Sequence, residues 1–150
     1  MSTKYNGTKQ EKDSLDAFIK VVRANETVVS KISLFLSKHK LTISQFGILD
    51  AILHNGPLSQ TSLGEKILKS GGNITHVVDN LEKRGLVKRK RNEKDRRNFE
   101  INLTSRGSKL ISKVLPLIVK LITKEFSVFN KKELEQFQFL CKKLGIQNRS

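Results

Sequence analysis

GLVKRKRNEKDRRNFEINLTSRG, residues 85–107, decides the fold. Seven of the thirteen residues from Gly85 to Arg97 are arginine or lysine, and the stretch then switches to alternating apolar and polar residues. Phe99, Ile101 and Leu103 alternate with Asn98, Glu100 and Asn102, the period of a half-buried strand. Residues 87–91 are the expected antiparallel partner, and NEKDRR the connecting loop. Thr104 is placed to cap a following helix. A charge run alone reads first as a solvated face, and KRKR also has the form of a nuclear localisation signal. The strand and the cap favour an ordered hairpin over both.

Upstream of the hairpin, Ile74, Val77, Val78 and Leu81 recur at i, i+3, i+4, i+7, the apolar stripe of a helix that Ser70 can cap and Gly85 ends. Gly72, His76, Asp79 and Lys83 lie opposite that stripe, with Asn73, Thr75 and Asn80 on its flanks. A shorter helix precedes it, with Ser59 as N-cap, Leu58 stapled to Leu63, and an end near Lys69. Two short helices joined by a tight turn, the second exposing small and hydrogen-bonding residues, describe a helix-turn-helix. A hairpin directly after its second helix is the wing of a winged helix.

Farther out, Leu15, Phe18, Ile19, Val22, Val29, Ile32 and Leu36 predict a long amphipathic helix ending near His39, behind a loose tail over residues 1–12. Thr42 and Gln45 form a capping box for a second helix with Phe46, Leu49, Ile52 and Leu53 on its face, stopped by the NGP of residues 55–57. Beyond Thr104, the apolar residues from Leu110 to Phe126 cover more than one face, so that helix needs two neighbours, and Pro116 should bend it. Asn130 and Glu133 box the last helix, which Phe129 and Leu134 staple and which stops at Gly145. The fold class expected is mostly α with a small β-hairpin wing: a winged helix-turn-helix between N- and C-terminal helices.

The chain has 150 residues, 37% hydrophobic and 29% charged, the size and balance of one folded domain. Its net charge of +15 self-repels unless a polyanion is the usual neighbour, with nucleic acid the first candidate and an anionic membrane the second. No signal peptide or spanning run is visible, so a cytoplasmic protein, nucleoid-associated when on DNA, is expected, with no membrane partner. His39, His54 and His76 are scattered without metal-site spacing, and SGGN at residues 70–73 lacks the lysine of a phosphate-binding loop. Neither an enzyme nor a cofactor is expected. The one cysteine, Cys141, cannot pair internally and reads as a packed thiol.

The stretch NITHVVDNLEKRGLVKRKRNEKDRRNFEINLTSRG, residues 73–107, resembles the recognition helix and wing of the MarR (multiple antibiotic resistance regulator) family of transcription regulators. LEKRGLV at 81–87, DRR at 95–97 and LTSRG at 103–107 carry the resemblance, and the helix order extends it over nearly the whole chain. It implies a homodimer held by helices over about 14–39 and 105–145, with a DNA-binding part over about 42–104. Each subunit would read half of a pseudo-palindromic operator in double-stranded DNA, as a repressor released by a small aromatic or anionic effector. Phe18, Phe35 and Phe46 are candidates to line an effector cleft, although core packing explains them equally well.

By chemistry, Asn73, Thr75 and His76 suit base edges, Gly72 allows close approach, and Ser70 at a helix N-terminus suits a phosphate. Asn80 and Lys83 complete the recognition-helix set. Arg96 and Arg97 suit a narrow minor groove, and Lys88, Arg89, Lys90, Arg91 and Lys94 suit phosphates. The resemblance implies that Asp95 pairs with a wing arginine and orders the tip. Two other classes compete: a nonspecific nucleic-acid-binding or packaging protein, and a helical interaction domain whose basic surface is incidental.

Overall fold

The structure, a computed structural model, describes residues 2–67 and 71–146. Among these residues, six helices and three short strands follow in the order α1 (Lys9–Ser37), α2 (Ile43–Asn55), β1 (Leu58–Ser59), α3 (Gln60–Ile67), α4 (Gly71–Lys83), β2 (Val87–Arg91), β3 (Phe99–Leu103), α5 (Ser105–Phe126) and α6 (Lys131–Ile146). The winged-helix reading holds: the hairpin occupies the two strands expected of it, directly after α4.

Side-chain caps set most helix starts. Thr42 and Gln45 cap α2 reciprocally, and Asn130 and Glu133 do the same for α6. At α1 the boundary lies earlier than the apolar pattern suggests, because Thr8 and Glu11 form a capping box and draw residues 9–14 into the helix. Thr3 bonds back through its amide to Asp16, so part of the expected loose tail lies on the helix. Ser59 accepts from the Ser62 amide at 3.1 Å and so starts α3 as expected. The same dipeptide also forms a strand, with Leu58 opposite Ile101 and Ser59 opposite Glu100. The sheet is therefore three-stranded in the order β1-β3-β2, whereas the sequence pattern shows two strands.

The core is one apolar cluster. Ile48, Leu49 and Ile52 of α2, Leu63 of α3, Ile74, Val78 and Leu81 of α4, and Ile111, Val114 and Ile118 of α5 close around Leu86, Val87 and Ile101 of the hairpin. No buried polar or charged side chain interrupts it among the described residues. Two local expectations need correction. Phe99 shares the face of Ile101 but, at the loop end of the hairpin, is 47% exposed. Its ring instead lies 5.7 Å from the guanidinium of Arg91, its register partner. Cys141, read as packed, is exposed, since no described side chain of α6 is fully buried against its own chain. Pro116 lies on the exposed side of α5, which runs through it as one 22-residue helix.

The hinge between wing and α5 is tightly latched. The Thr104 hydroxyl donates to the Gly85 carbonyl at 2.6 Å and accepts from the Gly107 amide at 3.0 Å, while the Thr104 amide donates to the Leu86 carbonyl. Gly85 itself sits at φ +66, a left-handed conformation that suits glycine. The end of α4, the root of β2 and the start of α5 are thus joined through one threonine.

Candidate nucleic-acid interface

On α4 the apolar stripe is buried as the spacing requires, and this orients the remaining face outward. Asn73, Thr75 and His76 are exposed, and Asn80 is half-buried with its amide 3.3 Å from the His76 ring nitrogen. Thr75 accepts a hydrogen bond from the Gln60 side chain of α3 at 3.0 Å. Lys83 is exposed in the last turn, and Gly72 lies in the first. Ser70 lies outside the described residues. Arg84, just after the helix, donates to Gln45 of the α2 capping box at 3.3 Å and ties the two helix ends together.

In the wing, strand alternation divides the basic run. Lys88 and Lys90 point to solvent, while Arg89 falls on the side of Val87 and Ile101. Its guanidinium bonds Asp79 at 2.5 Å and Glu82 at 2.7 Å, and its amide bonds Glu82 at 3.0 Å. The side-chain oxygen Oε1 of Gln60 accepts from it as well, at 3.1 and 3.3 Å. Partial burial works against the charge of Arg89, but the hydrogen bonds and charges of Asp79 and Glu82 outweigh it and hold its pKa above the ordinary value.

The tip is ordered by side chains that mimic backbone. Asn92 accepts from the Lys94 and Asp95 amides, and Asp95 accepts from the Arg97 amide at 3.1 Å and from the Asn98 side chain at 2.9 Å. Asp95 therefore orders the tip, but through an amide and an asparagine where the resemblance implies an arginine side chain. Among the described residues, the side chains of Lys88, Lys90, Lys94, Arg96 and Arg97 have no ion-pair or hydrogen-bond partner, and all five are exposed. The arrangement is a row of uncommitted cations beside a helix face of hydrogen-bonding groups, which is what groove and phosphate binding require.

The roles of Gln60, Asp79 and Glu82 are not evident from sequence. One cue is present: in a chain of charge +15, two acids three residues apart stand just before a basic strand. Among the described residues no group of three or more His, Cys, Asp or Glu side chains gathers as a metal site would need. None of the described helices is long and apolar enough to cross a membrane.

Comparison with known proteins agrees with this geometry. The MarR family profile matches residues 41–99, from the start of the helix-turn-helix part to β3. The HTH-type transcriptional regulator MhqR of Bacillus subtilis is 32% identical over 133 residues, covering 89% of this chain and 92% of its own. A mutant MarR from E. coli in complex with operator DNA superposes with a TM-score of 0.81 at 20% identity, over 91% of this chain and 99% of its own. BpsR of Bordetella bronchiseptica, whose DNA binding is regulated by 6-hydroxynicotinic acid, superposes with the same TM-score at 22% identity, over 95% and 98%.

Proposed function

This chain belongs to the MarR family of DNA-binding transcription regulators and is not an enzyme; from that premise we propose that it is a homodimeric repressor of a pseudo-palindromic operator. In this reading α4 of each subunit enters the major groove of one half-site, with half-site centres about 10 bp apart, and the wing reaches the flanking minor groove. Asn73, Thr75 and His76 meet base edges, with Gly72 and Asn80 beside them. Arg96 and Arg97 enter the minor groove, and Lys83, Lys88, Lys90, Arg91 and Lys94 hold phosphates. The observation that carries the reading is the pairing of an outward polar face on α4 with two arginine side chains that have no ion-pair partner among the described residues, at a wing tip ordered by Asp95.

Dimer formation is supported by apolar surface that the single chain leaves uncovered. Leu15, Phe18, Val21 and Val29 of α1 and Phe137, Phe139, Leu140 and Leu144 of α6 are exposed, and Phe139 reaches 64%. The parts over about 14–39 and 105–145 act as the dimerisation frame, and about 42–104 as the reading part. A small aromatic or anionic effector releases the operator by changing the spacing of the two reading heads. Phe35 and Phe46 pack against the core in the single chain.

Competition binding tests the reading. The protein should prefer DNA upstream of its own gene over random duplex by about 10³-fold or more at physiological salt. A ratio near one overturns it in favour of a nonspecific packaging role. Arg96→Ala and Arg97→Ala should each weaken the complex and make its salt dependence shallower, since each removes one cation from the bound DNA.

A further inference from the structure

We propose that Arg89, although it sits in the basic run of the wing, is a positioning residue that holds wing, α3 and recognition helix as one unit and does not contact DNA. The inference rests on the DNA-reading role proposed above. It begins with a charge count: the guanidinium carries +1 and its partners Asp79 and Glu82 carry −2, so the cluster presents a net −1 to an approaching phosphate. Four of its five N–H donors are engaged by two carboxylates and the Gln60 side-chain carbonyl, and its side chain is 23% exposed. Lys88 and Lys90, one residue to either side, have neither constraint.

The partners explain what the cluster does. Glu82 accepts from both the backbone and the side chain of Arg89, which sets β2 at one height along α4. Asp79, one turn earlier, is gripped by the other arm of the guanidinium, and two points of attachment define an angle where one would leave a pivot. Gln60 extends the chain of contacts from α3: its carbonyl oxygen faces Arg89 and its amide nitrogen donates to Thr75 on the reading face of α4. The guanidinium thus orients Gln60, and Gln60 in turn orients a hydroxyl proposed to meet a base. A reader that touches two grooves at once needs the helix-to-wing angle held, because an error at the root grows toward the tip.

Equilibrium binding of Arg89→Gln, Arg89→Lys and the Asp79→Asn/Glu82→Gln pair to upstream and random duplexes, each over a salt series, tests this. Arg89→Gln should leave the salt slope on random DNA unchanged and lower the upstream-to-random ratio by about tenfold, the size of one lost base-pair reading. Arg89→Lys keeps the charge but gathers its donors on one nitrogen and lacks the planar fork that spans Gln60, Asp79 and Glu82, so it should lose specificity as Arg89→Gln does. Removing the two acids should strengthen random binding through charge alone while lowering the same ratio. A slope shallower by about 0.9 in Arg89→Gln, with binding restored by lysine, would identify a phosphate contact and overturn the proposal. An unchanged ratio in the acid pair overturns it too, and this pair keeps the test valid should loss of the arginine impair folding. If wild type shows no preference for its upstream DNA, the DNA-reading proposal fails separately, and the slope on random duplex still decides whether Arg89 touches phosphate.

Discussion

Gly107 and Arg89 show how much a single residue depends on its surroundings. A Cβ added at Gly107 would run into the backbone carbonyl of Leu86, which cannot swing aside because the same oxygen accepts from the Thr104 amide. Gly107→Ala should therefore cost about 1–3 kcal/mol, enough to lower the melting temperature by several degrees in a chain of this size. An unchanged thermal midpoint would show that the α5 start can shift away. The glycine is visible in the sequence as the end of LTSRG, yet its reason is the backbone of Leu86, far back along the chain across the whole hairpin. Arg89 is a parallel case: nothing in KRKR separates it from Arg91, and only the α4 carboxylates beside it do.

Elements are legible wherever their causes are local. Apolar spacing marks the stripe of α4 and the alternation of β3, and capping boxes mark α2 and α6. The start of α1 escapes the apolar pattern because its first turns carry no apolar face, although Thr8 and Glu11 already spell a cap. That cap makes a pH prediction. Backbone and then side-chain hydrogen bonds from Thr8 hold the Glu11 carboxyl below its ordinary pKa. A folded pKa that is depressed means a contribution present above the unfolded value and lost as pH falls through the folded one. The Cα chemical shifts of residues 9–14 should therefore move toward coil values on acidification into the carboxylate range. In Glu11→Gln, which keeps an acceptor but does not titrate, that movement should vanish; an identical profile in both proteins refutes the cap as its cause. β1 has no pattern of its own, since two residues cannot show a period and exist as a strand only because β3 is beside them.

For the whole molecule, the apolar residues left outside the core predict its assembly. No described side chain of α6 is fully buried within its own chain, and with Ile122 and Phe126 of α5 its Phe137 and Cys141 line an open groove of about 670 Å³. Sedimentation at micromolar concentration should give twice the 17.0 kDa of the chain. Phe139→Glu combined with Leu140→Glu should move the protein toward monomer and weaken operator binding far more than random binding, because two half-sites no longer belong to one particle. A monomeric wild type would remove the dimer from the proposed function. The sequence by itself determined the helix order, the hairpin, the caps and the basic character, because hydrogen bonds within four residues and repeats of 2 or 3.6 leave their mark in spacing. Only the tertiary structure decided that Arg89 is engaged with acids while the side chains of Arg96 and Arg97 have no partner among the described residues, that Leu58 and Ser59 pair with β3, and that Phe99 escapes the core. These depend on which distant surfaces meet, and side-chain spacing along the chain carries no record of that.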